Sequence, residues 1–201
     1  MAHRLAKIIS IIFHPVFIPT LGFLLLFNSG FYFSFINWEA KRIILLVVLF
    51  STAIMPLLIM SVLALNPKFK LSFETGMRRA LPLFISSIFY YMGYMLLNRL
   101  NAYPILKVIM IASVLVILGL MILSLKWNIS GHMTALGALT GALFSLSYRT
   151  GTYPILAIIV VILATGLTAT ALLILNKNKL WHLETGYALG FAFLYLVIYF
   201  I

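Results

Sequence analysis

The chain has 201 residues, 64% of them hydrophobic and only 8% charged, with a mean hydropathy of +1.17. A soluble domain of this length has no use for so much apolar surface, whereas runs of about 20 apolar residues cross a bilayer, so the composition describes an integral membrane protein. Cysteine and aspartate are absent and the acids are Glu39, Glu74 and Glu184; this excludes disulfides and thiolate chemistry, and leaves paired carboxylates and oxygen cages for divalent metals poorly supplied.

Read in order, the chain opens with Met-Ala-His-Arg-Leu-Ala-Lys and an apolar run that holds Pro15 and Pro19. The charged start is like that of a signal peptide, but no small-residue cleavage site follows, so residues 8–27 are expected to be a retained first span. His14, directly before Pro15, reads as a hydrogen-bonding group at a kink. Residues 28–42 form a loop with Tyr32 and Trp38 as interfacial anchors and Lys41-Arg42 at its end. A second span is expected over 43–65. The longest polar stretch, 66–79, then brings Arg78 and Arg79 to a third span over 80–98, with Pro82 in a first turn that needs no N–H donor. Further spans are expected over 105–125, 132–148, 155–175 and 183–201. The expected fold is all-α: one integral membrane domain over residues 1–201, a polytopic bundle of six to seven transmembrane helices.

Tyr-Pro-Ile-Leu occurs at 103–106 and again at 153–156. Each copy starts a span that ends in a polar loop and a histidine, His132 in one case and His182 in the other. Each histidine precedes a helix with glycines four apart, Gly137/Gly141 and Gly186/Gly190, a spacing that lets helix backbones approach closely in lipid. Two spans between the histidines put both on one membrane face. The same counting brings the Arg78/Arg79 loop there, while Lys41, Arg42, Arg99, Lys107 and Arg149 fall on the other. Nine of the fourteen Lys and Arg residues lie on the converging face, which by charge alone is cytoplasmic. With Arg78, Arg79 and Lys126 counted as ligands the tally is six against five, and charge no longer orients the chain.

The converging face is where the chemistry concentrates. Lys126-Trp-Asn-Ile-Ser-Gly-His132 lies between two apolar runs, and its Ser130, Gly131 and His132 open a helix. Unpaired N–H groups and the positive end of the helix dipole favour an anion such as phosphate at such a start. The basic loops also suit anionic lipid headgroups. No basic aromatic surface separable from the spans offers itself to nucleic acid, and no cofactor or metal is implied.

These residues resemble the type 2 phosphatidic acid phosphatase superfamily of membrane lipid phosphatases, whose signature is K-x(6)-R-P, then P-S-G-H, then S-R-x(5)-H-x(3)-D. Ser130-Gly131-His132 matches the middle block, with Ile129 where proline is frequent. Arg79 matches the first block in part, with Pro82 three residues on and Lys70 off the family spacing. The resemblance runs from about residue 68 to 201 and leaves two additional N-terminal spans. The third block departs from the pattern. Alignment on Gly186-Tyr-Ala-Leu-Gly190 without gaps places Leu172 at the arginine, Asn178 at the histidine and His182 at the aspartate. Sliding the histidine onto His182 places Asn176 at the arginine and Gly186 at the aspartate.

The resemblance implies a metal-independent lipid phosphatase of a cell (inner) membrane, acting on a lipid phosphomonoester or prenyl diphosphate through a phosphohistidine. His182 would then attack phosphorus and His132 protonate the leaving alkoxide, with Arg78, Arg79, Lys126, Ser130 and Gly131 holding the phosphoryl oxygens. Asparagine has no nucleophilic nitrogen, so Asn178 cannot attack. The loss of the third-block arginine and aspartate leaves a second reading open: a catalytically inactive relative that binds lipid phosphate headgroups or a membrane partner.

Overall fold

A computed structural model describes residues 2–65 and 77–201, with the side chains of residues 64 and 77–79 outside its description. Among the described residues every regular element is helical. In chain order they are α1 (Ala2–Ile12), α2 (Ile18–Phe27), a 3₁₀ turn (Tyr32–Phe35), α3 (Trp38–Leu49), a π turn (Phe50–Ile54), α4 (Met55–Ala64), α5 (Met77–Arg99), α6 (Pro104–Ser124), α7 (Gly131–Thr150), α8 (Ile155–Ile174) and α9 (Leu180–Phe200).

Local chemistry explains the boundaries. The Asn37 side-chain oxygen accepts the Ala40 N–H at 2.8 Å and Glu39 lies in the first turn, which caps α3. Pro56 has no N–H and its ring crowds the carbonyl four residues earlier; the π turn just before it opens the backbone there, so α3 and α4 continue as one rod. Asn101 and Asn176 take the left-handed conformation, φ 50° in each. In both turns the next N–H reaches back to the helix, Ala102 to the Leu97 carbonyl at 3.1 Å and Lys177 to the Leu172 carbonyl at 3.2 Å. These are Schellman endings, and they satisfy carbonyls that a helix end otherwise orphans.

Among the described residues, five helical stretches are long and apolar enough to cross a membrane: Trp38–Leu63, Ala80–Arg99, Pro104–Ser124, Ile155–Ile174 and Leu180–Phe200. That is slightly fewer than the six to seven expected, and the difference has two sources. Residues 8–27 do not form one helix: α1 stops at Ile12, His14 and Pro15 lie in a turn, and α2 restarts with Pro19 in its first turn. The α1 helix exposes His3, Arg4 and Lys7 around one side and Leu5, Ile8 and Ile12 on another, the division of a helix lying in a membrane interface. The second source is α7, which is long enough at 20 residues but rich in Gly, Ser and Thr, and which buries twelve of its residues.

α7 packs most extensively against α9. A Cβ built on Gly137 or Gly141 would enter the backbone of Tyr187 or Phe191, and one on Gly190 would enter that of Thr134. One on Gly186 would lie 2.7 Å from the Ser130 carbonyl oxygen. The two glycine pairs therefore meet, and side chains larger than hydrogen would force the helices apart. The N-terminal helices join the same core, where Phe23, Phe27, Phe31 and Val48 cluster with Leu106, Leu143 and Ile198. Outward side chains of α8 such as Leu156, Val160 and Leu163 are largely exposed, as a lipid-facing belt requires.

Candidate functional site

Between α2, α4, α5, α6 and α7 lies a cavity of about 810 Å³. Its polar end is lined by His14, Asn128, Ser130, His132, Lys177 and Asn178. These residues come from the α1–α2 turn, the start of α7 and the turn after α8, so loops far apart in the chain meet at one end of the bundle. The rest of the lining is mostly apolar, with Phe23, Leu26, Ile109 and Ala142 buried, and it also includes the hydroxyl side chains of Thr52, Ser86, Tyr90 and Ser113.

Each polar residue has a local reason for its place. Ser130 is the N-cap of α7: its hydroxyl accepts the Met133 N–H at 3.4 Å, and its carbonyl accepts the Thr134 hydroxyl at 2.9 Å. Its own N–H donates to the His182 carbonyl at 3.1 Å, which fastens the starts of α7 and α9 together. His132, two residues later, faces the cavity. Its Nε2 lies 3.2 Å from the Ser10 carbonyl, an arrangement in which Nε2 carries the proton and donates. The His14 ring meets the His132 ring edge-on, centroids 5.3 Å apart. Burial, and then the Lys177 ammonium, push the His14 pKa below its usual value and favour a neutral ring. Lys177 is aimed inward by the Schellman turn, and its Nζ donates to the Ser10 hydroxyl at 3.4 Å. The Asn178 amide donates to the Asn128 carbonyl at 3.3 Å.

Ser130, Gly131 and His132 all line the cavity. Arg78 and Arg79 belong to the first turn of α5, with side chains outside the described residues; Pro82, Ser86 and Tyr90, further along that helix, do line the cavity. Pro82 lies inside α5 rather than in its first turn, because the helix begins at Met77. Lys126 is exposed and not part of the cavity wall. His182 is not part of it either. Its Nδ1 accepts the Lys179 N–H at 3.3 Å, as a side chain that caps the start of α9, and its ring lies 4.0 Å from that of Trp181. Of the two histidines expected to act together, only His132 reaches the cavity, and its histidine neighbour there is His14.

His14 and Lys177 are the residues that reading by motif passes over. The His14–His132 contact spans more than half the chain and leaves no local pattern. Lys177 had a usable signal, since asparagine just after an apolar helix is a frequent left-handed cap. Among the described residues no group of three His or acidic side chains is placed to hold a metal ion. Among the described residues the arrangement offers one ammonium, two imidazoles, amide groups and a helix N-terminus at one end of a mostly apolar cavity. Comparison with protein-family models, with curated proteins and with solved structures gave no match.

Proposed function

We propose that this chain binds a lipid carrying a phosphate, with the phosphate at the His14–His132–Lys177 mouth and the hydrocarbon in the cavity. The observation that carries the reading is the cavity's division into an end lined by Lys177, two imidazoles and the amides of Asn128 and Asn178, and a mostly apolar remainder, which matches an amphiphile with an anionic head. Lys177 supplies the charge, His132 an N–H donor, and the α7 N-terminus a favourable dipole. A bundle of helices rather than a barrel agrees with residence in a cell (inner) membrane.

The geometry favours binding over hydrolysis by His182. In the ungapped register of the phosphatase-like resemblance, Leu172 and Asn178 take the positions of the arginine and the attacking histidine, and both line the cavity. His182 is engaged as a helix cap outside it. Hydrolysis remains as a second reading because His14 stands beside His132. There the neutral His14 ring attacks phosphorus, the ester P–O bond breaks, and a protonated His132 gives its proton to the leaving alkoxide. Water then cleaves the N–P bond.

The test is equilibrium binding of palmitoyl lysophosphatidate and of monopalmitoylglycerol to the purified protein, with phosphate release followed in EDTA. We expect the phosphate to improve affinity at least about tenfold, with the gain lost in His132→Ala and Lys177→Ala and no phosphate released. Equal affinity for the two lipids overturns the reading. Turnover that depends on His14 and His132 selects hydrolysis instead.

A further inference from the structure

Little apolar surface holds α1 to the rest of the protein. The helix packs along α8, and the residues it buries there are small, Ala6 at 2% exposure and Ser10 at 3%. Its larger apolar side chains, Leu5, Ile8, Ile11 and Ile12, are each more than half exposed. An alanine methyl gives weak hydrophobic attachment, and segments with few buried apolar contacts open at low cost.

What fastens α1 is Ser10. Its carbonyl takes the His132 Nε2–H at 3.2 Å, and its hydroxyl accepts from the Lys177 ammonium at 3.4 Å. These are the two donors on which the phosphate site depends. Ser10 meets them with neutral oxygens, whereas a phosphate oxygen is charged and accepts roughly twice as strongly. The chain also supplies a joint. Residues 13–17 form a turn, with the Phe17 N–H on the His14 carbonyl at 2.9 Å, and Pro15 disfavours helical backbone at His14. So α1 can swing without unwinding α2. A released α1 has a place to lie: His3, Arg4 and Lys7 on one side and Leu5, Ile8 and Ile12 on another suit a membrane surface with anionic headgroups.

From these contacts, and resting on the lipid-phosphate reading above, we infer that α1 is a latch on the site. Docked, its Ser10 occupies His132 and Lys177; a lipid phosphate displaces Ser10 and frees α1 onto the membrane surface. Phosphate and Ser10 compete for the same donors, so the coupling is reciprocal. Binding loosens α1, and loosening α1 tightens binding.

The chain has no cysteine, so Ala6→Cys places a single thiol on the buried face of α1. The experiment measures its labelling by a water-soluble maleimide in the full chain, in one detergent. The lipid is omitted or is palmitoyl lysophosphatidate or monopalmitoylglycerol at equal mole fraction. We expect the phosphate lipid to raise the labelling rate at least about fivefold and the glyceride to leave it within about twofold. The converse arm is Ala6→Leu, whose larger side chain pushes α1 off α8 and should tighten palmitoyl lysophosphatidate binding at least about threefold. Should Ala6→Cys itself free the helix, seen as fast labelling without lipid, hydrogen exchange of the α1 amides in the unaltered protein makes the same comparison. Lysophosphatidate that binds through Lys177 yet leaves α1 labelling and exchange unchanged overturns the latch while the phosphate reading stands. An equal rise with monopalmitoylglycerol, or Ala6→Leu that fails to tighten binding, does the same. Palmitoyl lysophosphatidate that binds no more tightly than monopalmitoylglycerol overturns the phosphate reading, and the latch with it.

Discussion

Two faces of α7 pack in opposite ways, one closed tightly on α9 and one bordering a cavity. Along the face of α7 turned to α9, Gly137 and Gly141 leave no room for a methyl group. Along the face turned to α2 and α5, Ala135, Ala138 and Ala142 border the 810 Å³ cavity. Both faces are built from small residues, and composition alone does not distinguish them. What differs is the partner: α9 answers with Gly186 and Gly190, so backbones close on each other, whereas the Pro56 and Pro82 segments of α4 and α5 line the cavity without packing closely on α7.

The largest effect expected from this contrast is at the seam. Gly190→Leu should destabilise the protein by about 3 kcal/mol or more, because its Cβ meets the Thr134 carbonyl and the helices must separate. Thermal unfolding in detergent, beside Ala135→Leu on the cavity face, measures it; the cavity variant should lose less than about 1 kcal/mol, since Ala135 lines the cavity and is only partly buried. Equal losses would erase the distinction between the two faces.

At the mouth, Lys177→Ala should weaken phosphate-lipid binding about tenfold, the order of one charge-assisted contact, with little change in unfolding temperature. A smaller effect concerns acidity. The His14 pKa in the folded protein lies below its unfolded value, so the unfolded chain takes up the proton first as pH falls. Stability should therefore be constant above about pH 6.5, decline as pH drops through the interval down to the folded pKa, and level off below it. His14→Gln should flatten that slope, as unfolding scans across the interval would show.

The smallest effect is at α1. The Ser10 hydroxyl and carbonyl engage Lys177 and His132, so they would compete with a phosphate bound as proposed. Ser10→Ala removes one of these contacts and should raise phosphate-lipid affinity by about twofold or less, a 3.4 Å bond being weak. Titration against the parent protein checks it.

Much of this was legible from residues in order. Apolar runs marked the long helices, Pro104 and Ser130 marked helix starts, and counting spans placed Ser130-Gly-His132 and the loop after α8 on one face. The paired glycines of α7 and α9 were readable because lipid-embedded helices have few other ways to touch. The break at His14-Pro15 was not, because a proline within an apolar run kinks one helix or ends it depending on what packs around it. The exchange of His182 for His14 escaped for a related reason. A histidine at the third position of a helix either caps its own backbone or reaches a neighbour, and at His182 the N–H of Lys179 lies within reach. Nothing local records that α1 folds back to set Ser10 and His14 against His132.

The central claim is that a lipid phosphate sits at the mouth with its chain along the apolar lining of the cavity. Photolabelling with a palmitoyl lysophosphatidate carrying a diazirine at the chain terminus tests it most directly. The account predicts adducts on Leu26, Ile109 or Ala142, suppressed by excess unlabelled lysophosphatidate but not by monopalmitoylglycerol. Adducts confined to the outward face of α8, on Leu156, Val160 and Leu163, would contradict it.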